Sequence, residues 1–561
     1  MSKEYQHIIK DINDWPISQF TKNREEFVRE LRLYTIEKVL AHKRYDLPEL
    51  LQKSIYFEKK RVKGEEWKVD PADEAKFWQK IEKELFEVSA IDNPTKKDYL
   101  PILEKMIHRY AEEIVGNFKP KTFKFARKFL TWLFKRIYNR ISLKRIYKLW
   151  GSTDSLLDKF TLVGPSDKIR GLFDRGVVVF VPTHFSNLDS ILLGYQVDFV
   201  TKIPAFLYGA GLNLYNTEII GYFMNRLGTY RVDRRKKNLI YIETLKSMNT
   251  LSIIQGVNNL FFPGGTRSRS GAIEDKIKLG LLNSTVEAQR YIADHDLDRK
   301  VFIVPVVTRF PFVLDANQLI SDHLSRQGQE RYYHERPKMS ATKLLRMLLK
   351  GMYTNEGKSY LAYGQPMDVF GNMVNDEGVS VDNSGKEIDI NNYFSGIEDE
   401  ANYIQREKVY TKRLGEKIVK QYRDNNIIIP SHLVAFLTYH HLTVSQNETD
   451  IFNLLLLDVK HIDVSIDLIV RQLAFVIDRL KKEYPKVLLA AELDGDPNEV
   501  FAEGMKYLGV YNSQKPLYIK NEMLKTESIK LLYYYHNQLS SEEVISITSS
   551  KDFQLLEKRL D

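Results

Sequence analysis

Apolar residues recur at three- and four-residue spacing through the first 150 positions, as in FVRELRLYTIEKVL (27–40), with charged residues in the intervals. That period turns one face of an α-helix toward a core and the other toward water. From about residue 160 the period changes. Short β-branched runs appear, VVVFV (177–181), NLFF (259–262) and VFIVPVV (301–307), with helical segments between them. Unbroken apolar runs alternating with helices predict an α/β region whose strands are buried and mostly parallel. Residues 367–400 are rich in Asn, Asp, Gly and Ser, the composition of a solvent-exposed insertion or linker. Helical spacing returns from 401 to 561, as in DLIVRQLAFVIDRLKKEY (467–484). The expected organisation is a helical region over 1–155, an α/β domain over 156–370, a polar insertion or linker over 371–400 and a second helical region over 401–561.

Composition narrows the function classes. The 561 residues are 43% hydrophobic and 28% charged, so the chain has material for two or three folded domains and does not read as disordered. Its net charge of +9 suits anionic partners. The excess is concentrated: between Lys119 and Lys148 stand eleven Lys or Arg and no Asp or Glu. Phe125, Phe129, Trp132, Phe134 and Tyr138 interleave with them, which predicts a basic amphipathic segment over 119–150 able to lie in a membrane interface. No cysteine is present, which excludes disulfides, thiolate catalysis and Cys-based zinc sites. The first residues carry charges throughout and lack the apolar core of a signal peptide. No uncharged apolar run reaches the length of a spanning helix, so any membrane contact is expected to be peripheral and the location cytoplasmic.

Each apolar run feeds a polar loop, and in open α/β sheets ligands sit beyond the carboxyl ends of the strands. THFSNLDS (183–190) follows the first run. Its His184 and Asp189 are five residues apart, about 500° on an ideal helix, so they do not share a helix face. They meet if His184 sits at the strand-to-helix turn and Asp189 in the first helical turn. The carboxylate then fixes the imidazole tautomer and leaves the second ring nitrogen as a base. FFPGGTRSRSG (261–271) follows the second run. Its glycines allow close backbone approach, and Thr266, Arg267, Ser268 and Arg269 suit a phosphate oxyanion. It is not a P-loop, because no Gly-Lys-Ser/Thr follows. LGTYRVDRRKK (227–237) clusters Arg231, Arg234, Arg235, Lys236 and Lys237, and the ordinary reading of such a run is a solvated face.

Taken together, these segments resemble the glycerolipid acyltransferase family, which includes glycerol-3-phosphate and 1-acylglycerol-3-phosphate acyltransferases. The H-x-x-x-x-D block of that family is matched by His184 to Asp189, and its second block by Gly228 to Arg234 with the ending VDR. Its FPEGTRSR block is matched by FPGGTRSR (262–269), and its V-P-V strand by Val304-Pro305-Val306. YGQPMDV (363–369) is similar to the closing Y/F-G-x-P strand, and IIIPSHLVAFLTYHHL (427–442) to the helical C-terminal region of the larger glycerol-3-phosphate acyltransferases. One departure stands out: Gly264 occupies the position of the glutamate in the third block. The family associates that glutamate with the acceptor site and with loop order.

The resemblance implies an α/β acyltransferase domain with a mixed, mostly parallel sheet flanked by helices. It implies transfer of a fatty acyl group from a coenzyme A or acyl-carrier-protein thioester to glycerol 3-phosphate, in phospholipid biosynthesis. His184 and Asp189 are then the catalytic pair. Arg234, Gly265, Thr266, Arg267, Ser268 and Arg269 are the substrate-binding residues. The partners implied are a glycerol-phosphate-type acceptor, an acyl thioester and an anionic membrane surface, with no nucleic acid, metal or bound cofactor. Two alternatives remain: acylation of 1-acylglycerol 3-phosphate or another lipid hydroxyl, and a catalytically impaired lipid-binding protein, motivated by Gly264.

Overall fold

Seven strands build the central sheet of the computed structural model: β1 (Phe160–Val163), β2 (Gly176–Pro182), β3 (Leu207–Gly211), β4 (Thr229–Val232), β5 (Asn259–Leu260), β6 (Lys300–Arg309) and β7 (Ser359–Tyr363). The structure describes residues 5–41, 46–64, 67, 69–138, 159–186, 189–212, 215, 218–327, 358–394, 400–459, 462–510, 512–539 and 541–558. The strand order is β1-β7-β6-β2-β5-β3-β4, parallel throughout except between β6 and β7. The chain thus forms the mixed, mostly parallel sheet expected of it.

The two apolar runs at the sheet centre are unbroken because both faces are covered. Val177, Val179 and Val181 pack with Ile303, Leu282 and Val286 on one side, while Val178 and Phe180 pack with Val304 and Leu193 on the other. This is the two-residue alternation of a strand. Phe180 lies between Phe206 at 4.5 Å and Tyr363 at 5.4 Å, and truncating a ring so enclosed costs about 3–5 kcal/mol.

Helices Arg24–Ala41, Leu47–Gly64, Glu74–Ser89 and Lys96–Ile114 precede the sheet. Their apolar faces share a core with helix Leu239–Ile254, which follows β4. After the sheet, helix Glu400–Asp424 crosses behind β2, where the Tyr422 hydroxyl donates to the Val181 carbonyl at 2.9 Å. Helices Pro430–Ser445, Ile466–Glu483, Pro497–Tyr507 and Ile529–Asn537 form a further core with helix Ala316–Arg326.

One stretch differs from its sequence reading. The polar stretch is pinned to the sheet over residues 371–394 rather than hanging free. It forms three short antiparallel strands (Met373–Val374, Ser380–Val381 and Glu387–Ile388), and Ile390 and Phe394 are buried with Phe370 and Ile418. Its Asn and Asp residues close tight turns: Asn375 accepts from the N–H groups of Glu377 and Val379, and Asp382 from those of Ser384 and Lys386. The basic segment forms helix Pro120–Tyr138, while residues 139–150 lie outside the described residues. That helix buries Ala126 and Phe134 and pairs Arg127 with Asp198. Phe125, Phe129 and Trp132, on the i, i+4, i+7 positions of another face, stay about half exposed. Among the described residues no helix is long and apolar enough to cross a membrane.

Candidate active site

The buried strand β2 ends at Pro182, and the next residues turn sharply before helix Asp189–Phe199 begins. Asp189 therefore stands at the helix start, fully buried, facing the turn it has just closed. Its Oδ2 accepts from the backbone N–H groups of Phe185 at 2.5 Å and Ser186 at 2.8 Å, and it lies 3.0 Å from His184 Nδ1. An oxygen already taking two N–H donors is an acceptor toward the ring as well, so Nδ1 carries the proton and Nε2 is left with a lone pair. The pair meets in the way its spacing predicts, through the turn and not along a helix face.

The other blocks converge on this turn. The loop after β5 reaches back so that Phe262 stacks on the His184 ring at 4.2 Å and the Ser268 N–H donates to the His184 carbonyl at 2.7 Å. Gly265 turns the loop with φ +72°, a conformation that favours glycine, and its N–H donates to the Phe262 carbonyl at 3.0 Å. The loop returns through Lys278, whose N–H donates to the Pro263 carbonyl at 2.7 Å. C-terminal residues brace it from outside: Asn537 donates to the Ser270 carbonyl at 2.9 Å, and Arg423 pairs with Asp275 at 2.5 Å.

Between these elements lies a cavity of about 380 Å³. His184, Arg234, Arg267 and Lys278 line it, together with Gly265 and the end of β3, and among the described residues no carboxylate does. Its apolar wall is Tyr208, Val232, Phe261, Phe262 and Leu281. Burial holds the Arg267 guanidinium below its ordinary value, and the nearby charge of Arg234 adds to that. An imidazole beside three clustered cations suits an anion that carries a hydroxyl. A larger concavity of about 830 Å³ at the β1 edge is lined, among the described residues, by no His or Arg, so size alone does not locate the chemistry.

The structure sorts the sequence candidates. His184, Arg234, Gly265 and Arg267 share the cavity, and Asp189 supports His184 from behind. Thr266, Ser268 and Arg269 are not on its lining. The Ser268 hydroxyl donates to the Ala272 carbonyl at 2.7 Å and so closes the loop. Arg269 lies within the electrostatic reach of Asp322 and Arg326. Arg267 is ion-paired with buried Asp315, which fixes the guanidinium at the cavity wall. In the run after β4 only Arg234 serves the cavity. Arg235 is bound to Asp233 and, at 2.5 Å, to Asp70, and Lys236 is bound to Glu113. Arg235 and Lys236 of this run therefore tie the helical N-terminal region to the second block, while Arg234 and Lys237 stay exposed.

Sequence reasoning missed Lys278 and the buried Arg309. The signal for Arg309 was a cation ending an otherwise apolar strand, VFIVPVVTR (301–309). Its guanidinium lies 4.3 Å from the Phe185 ring centre, and its Nε donates to Asn426 at 2.6 Å. Burial lowers its pKa to about 9.

The family model described as Acyltransferase matches residues 166–309, the span from ahead of β2 to the end of β6. Among curated proteins the chain is similar to the glycerol-3-phosphate acyltransferase of Aeromonas hydrophila, 27% identical over 266 residues, which is 47% of this chain and 28% of that protein. It is also similar to those of Pseudoalteromonas translucida, 25% identical over 265 residues (46% and 28%), and Haemophilus ducreyi, 26% over 286 residues (50% and 31%). The likeness thus spans about half of this chain and less than a third of these relatives.

Proposed function

We propose that the protein transfers a fatty acyl group from an acyl thioester to a hydroxyl of glycerol 3-phosphate at a membrane surface. The observation that carries this reading is the His184–Asp189 pair, set in the wall of a cavity whose charged groups are all cationic. Arg234, Arg267 and Lys278 bind the acceptor phosphate by charge-assisted hydrogen bonds and bring the free hydroxyl to His184. His184 Nε2 takes the hydroxyl proton as the oxygen attacks the thioester carbonyl carbon. Asp189 holds the ring and stabilises its protonated form. The tetrahedral oxyanion collapses, the C–S bond breaks, and the sulfur leaves with the proton returned by His184. No covalent acyl-enzyme is needed. The Gly265 N–H is already committed to the Phe262 carbonyl. The oxyanion is therefore assigned to the positive end of helix Asp189–Phe199, where Ser190 reaches the cavity lining.

The test is conversion of labelled glycerol 3-phosphate to an organic-extractable lipid on liposomes, with coenzyme A and acyl-carrier-protein thioesters supplied in turn. Acceptance of 1-acylglycerol 3-phosphate in its place would move the reading to the second acylation. Arg267→Ala is expected to raise the KM for glycerol 3-phosphate about 10- to 100-fold, the size of a lost charge-assisted bond. An unchanged acceptor KM would remove Arg267 from the phosphate site.

Membrane contact is assigned to helix Pro120–Tyr138. Its exposed Phe125, Phe129 and Trp132 stripe is flanked by exposed Lys121, Lys124 and Lys128, the pairing of rings and cations that suits an anionic interface. Replacing the three aromatic residues by serine is expected to weaken sedimentation with anionic vesicles about tenfold or more. Equal binding by this variant would place the membrane contact elsewhere.

A further inference from the structure

Gly264 is not a glycine for backbone reasons. The left-handed residue of the loop is its neighbour Gly265, and Gly264 has no positive φ. The nearest atoms that a side chain at 264 would meet belong to another residue. A Cβ built there would meet three atoms of Glu274: Cγ at 3.4 Å, Cδ at 3.0 Å and, closer still, Oε1. Glu274 comes from the far side of the loop, which closes on itself through the bond from the Lys278 N–H to the Pro263 carbonyl and through Ser268 to Ala272. Its carboxyl group fills the notch that the missing Cβ leaves.

That carboxyl belongs to a cluster. Glu274 Oε1, Asp189 Oδ1 and both terminal nitrogens of Arg309 are buried and make no hydrogen bond among the described residues. Arg309 is 1% exposed and packs on Phe185, in the turn that carries His184. Arg309 thus lies within electrostatic reach of both carboxyl groups. Burial pushes the Glu274 carboxyl up to about 7, with Arg309 pulling it down and Asp189 pushing it further up. Glu274 does not line the cavity, so it does not touch the reactants.

We infer that Glu274 supplies, from ten residues downstream, the carboxyl group that the third block of related sequences carries at position 264. It is a positioning residue. It holds the 262–268 loop against His184, and with Arg309 it sets the charge behind Asp189. The pairing explains the one departure from the family pattern without loss of activity: the glycine and the displaced glutamate are two halves of a single exchange. For its kinetic readout the inference rests on the acyl-transfer reading above; its thermal readout does not depend on that reading.

The experiment is a double-mutant cycle on the full chain, with Gly264→Glu, Glu274→Ala and the two combined, read by Tm and by kcat and KM. Gly264→Glu alone forces two carboxyl groups into one notch and is expected to lower both Tm and kcat. Glu274→Ala alone empties the notch and is expected to lower kcat about tenfold or more while the acyl-thioester KM stays within about twofold. The double variant is expected to recover most of the lost Tm and about tenfold in kcat over either single variant. Glu274→Gln keeps the shape without the charge and is expected to retain Tm and lose kcat. Additive losses in the double variant, or full turnover by Glu274→Gln, would overturn the inference. If the wild-type protein acylates no acceptor, the functional reading fails. The Tm cycle then decides the inference alone, with coupling supporting it and additivity overturning it.

Discussion

Replacing His184 by alanine is expected to lower kcat by about 10⁴-fold, the scale of losing the base of a catalytic triad, with little change in acceptor KM. The expectation follows from position. His184 is the single imidazole on the cavity lining, and its Nδ1 is committed to Asp189. Among the described residues no carboxylate lines the cavity to take over as base. Removing the ring leaves the cationic wall intact, so the phosphate still binds and the loss falls on the chemical step. Phe262 loses its stacking partner, which makes a melting curve the necessary control. A variant that folds and turns over within tenfold of wild type would remove His184 from the base role.

Asp189→Asn is expected to cost about 10³- to 10⁴-fold in kcat, for a different reason. Asp189 Oδ2 gathers three donors: the His184 ring and the N–H groups of Phe185 and Ser186. An amide can keep its oxygen toward the two N–H groups, but it then places an NH₂ in the buried position of Oδ1, which has no hydrogen-bond partner. In the flipped orientation the NH₂ faces Nδ1 and forces the proton onto Nε2, where the base is needed. Both arrangements lose the negative charge that stabilises the protonated ring. Asp189→Ala goes further and leaves two buried N–H groups without an acceptor, at about 1–3 kcal/mol each. The Asn variant is therefore the cleaner probe, and near-normal turnover by it would separate Asp189 from catalysis.

What the sequence made legible was local. The run VVVFVP before the His184 loop is apolar at every position because β2 is covered on both faces, and the His184–Asp189 pair sits just beyond it. The loop after β5 was readable for the same reason. Strands β3 and β4 were not. They are short, lie toward the sheet edge and mix Gly, Tyr, Thr and Arg with apolar residues. Partners distant in sequence were invisible. Arg235 and Lys236 read as a solvated run because Asp70 and Glu113 stand 165 and 123 residues away. Residues 371–400 read as a linker because their turn chemistry outweighs, in composition, the few apolar residues that anchor them. Gly264 read as a departure open to three meanings, altered acceptor choice, a compensating residue such as Glu274 or Asp275, or lost activity, because the side chain beside it arrives only when the loop folds back.

The measurement that tests the account most directly is thiol release from a long-chain acyl thioester on anionic liposomes, comparing wild type with His184→Ala, with and without glycerol 3-phosphate. The chain has no cysteine, so the protein adds no thiol background. The account predicts release that requires glycerol 3-phosphate and falls about 10⁴-fold in the variant. Release that ignores the acceptor, or that survives the loss of His184, would contradict it.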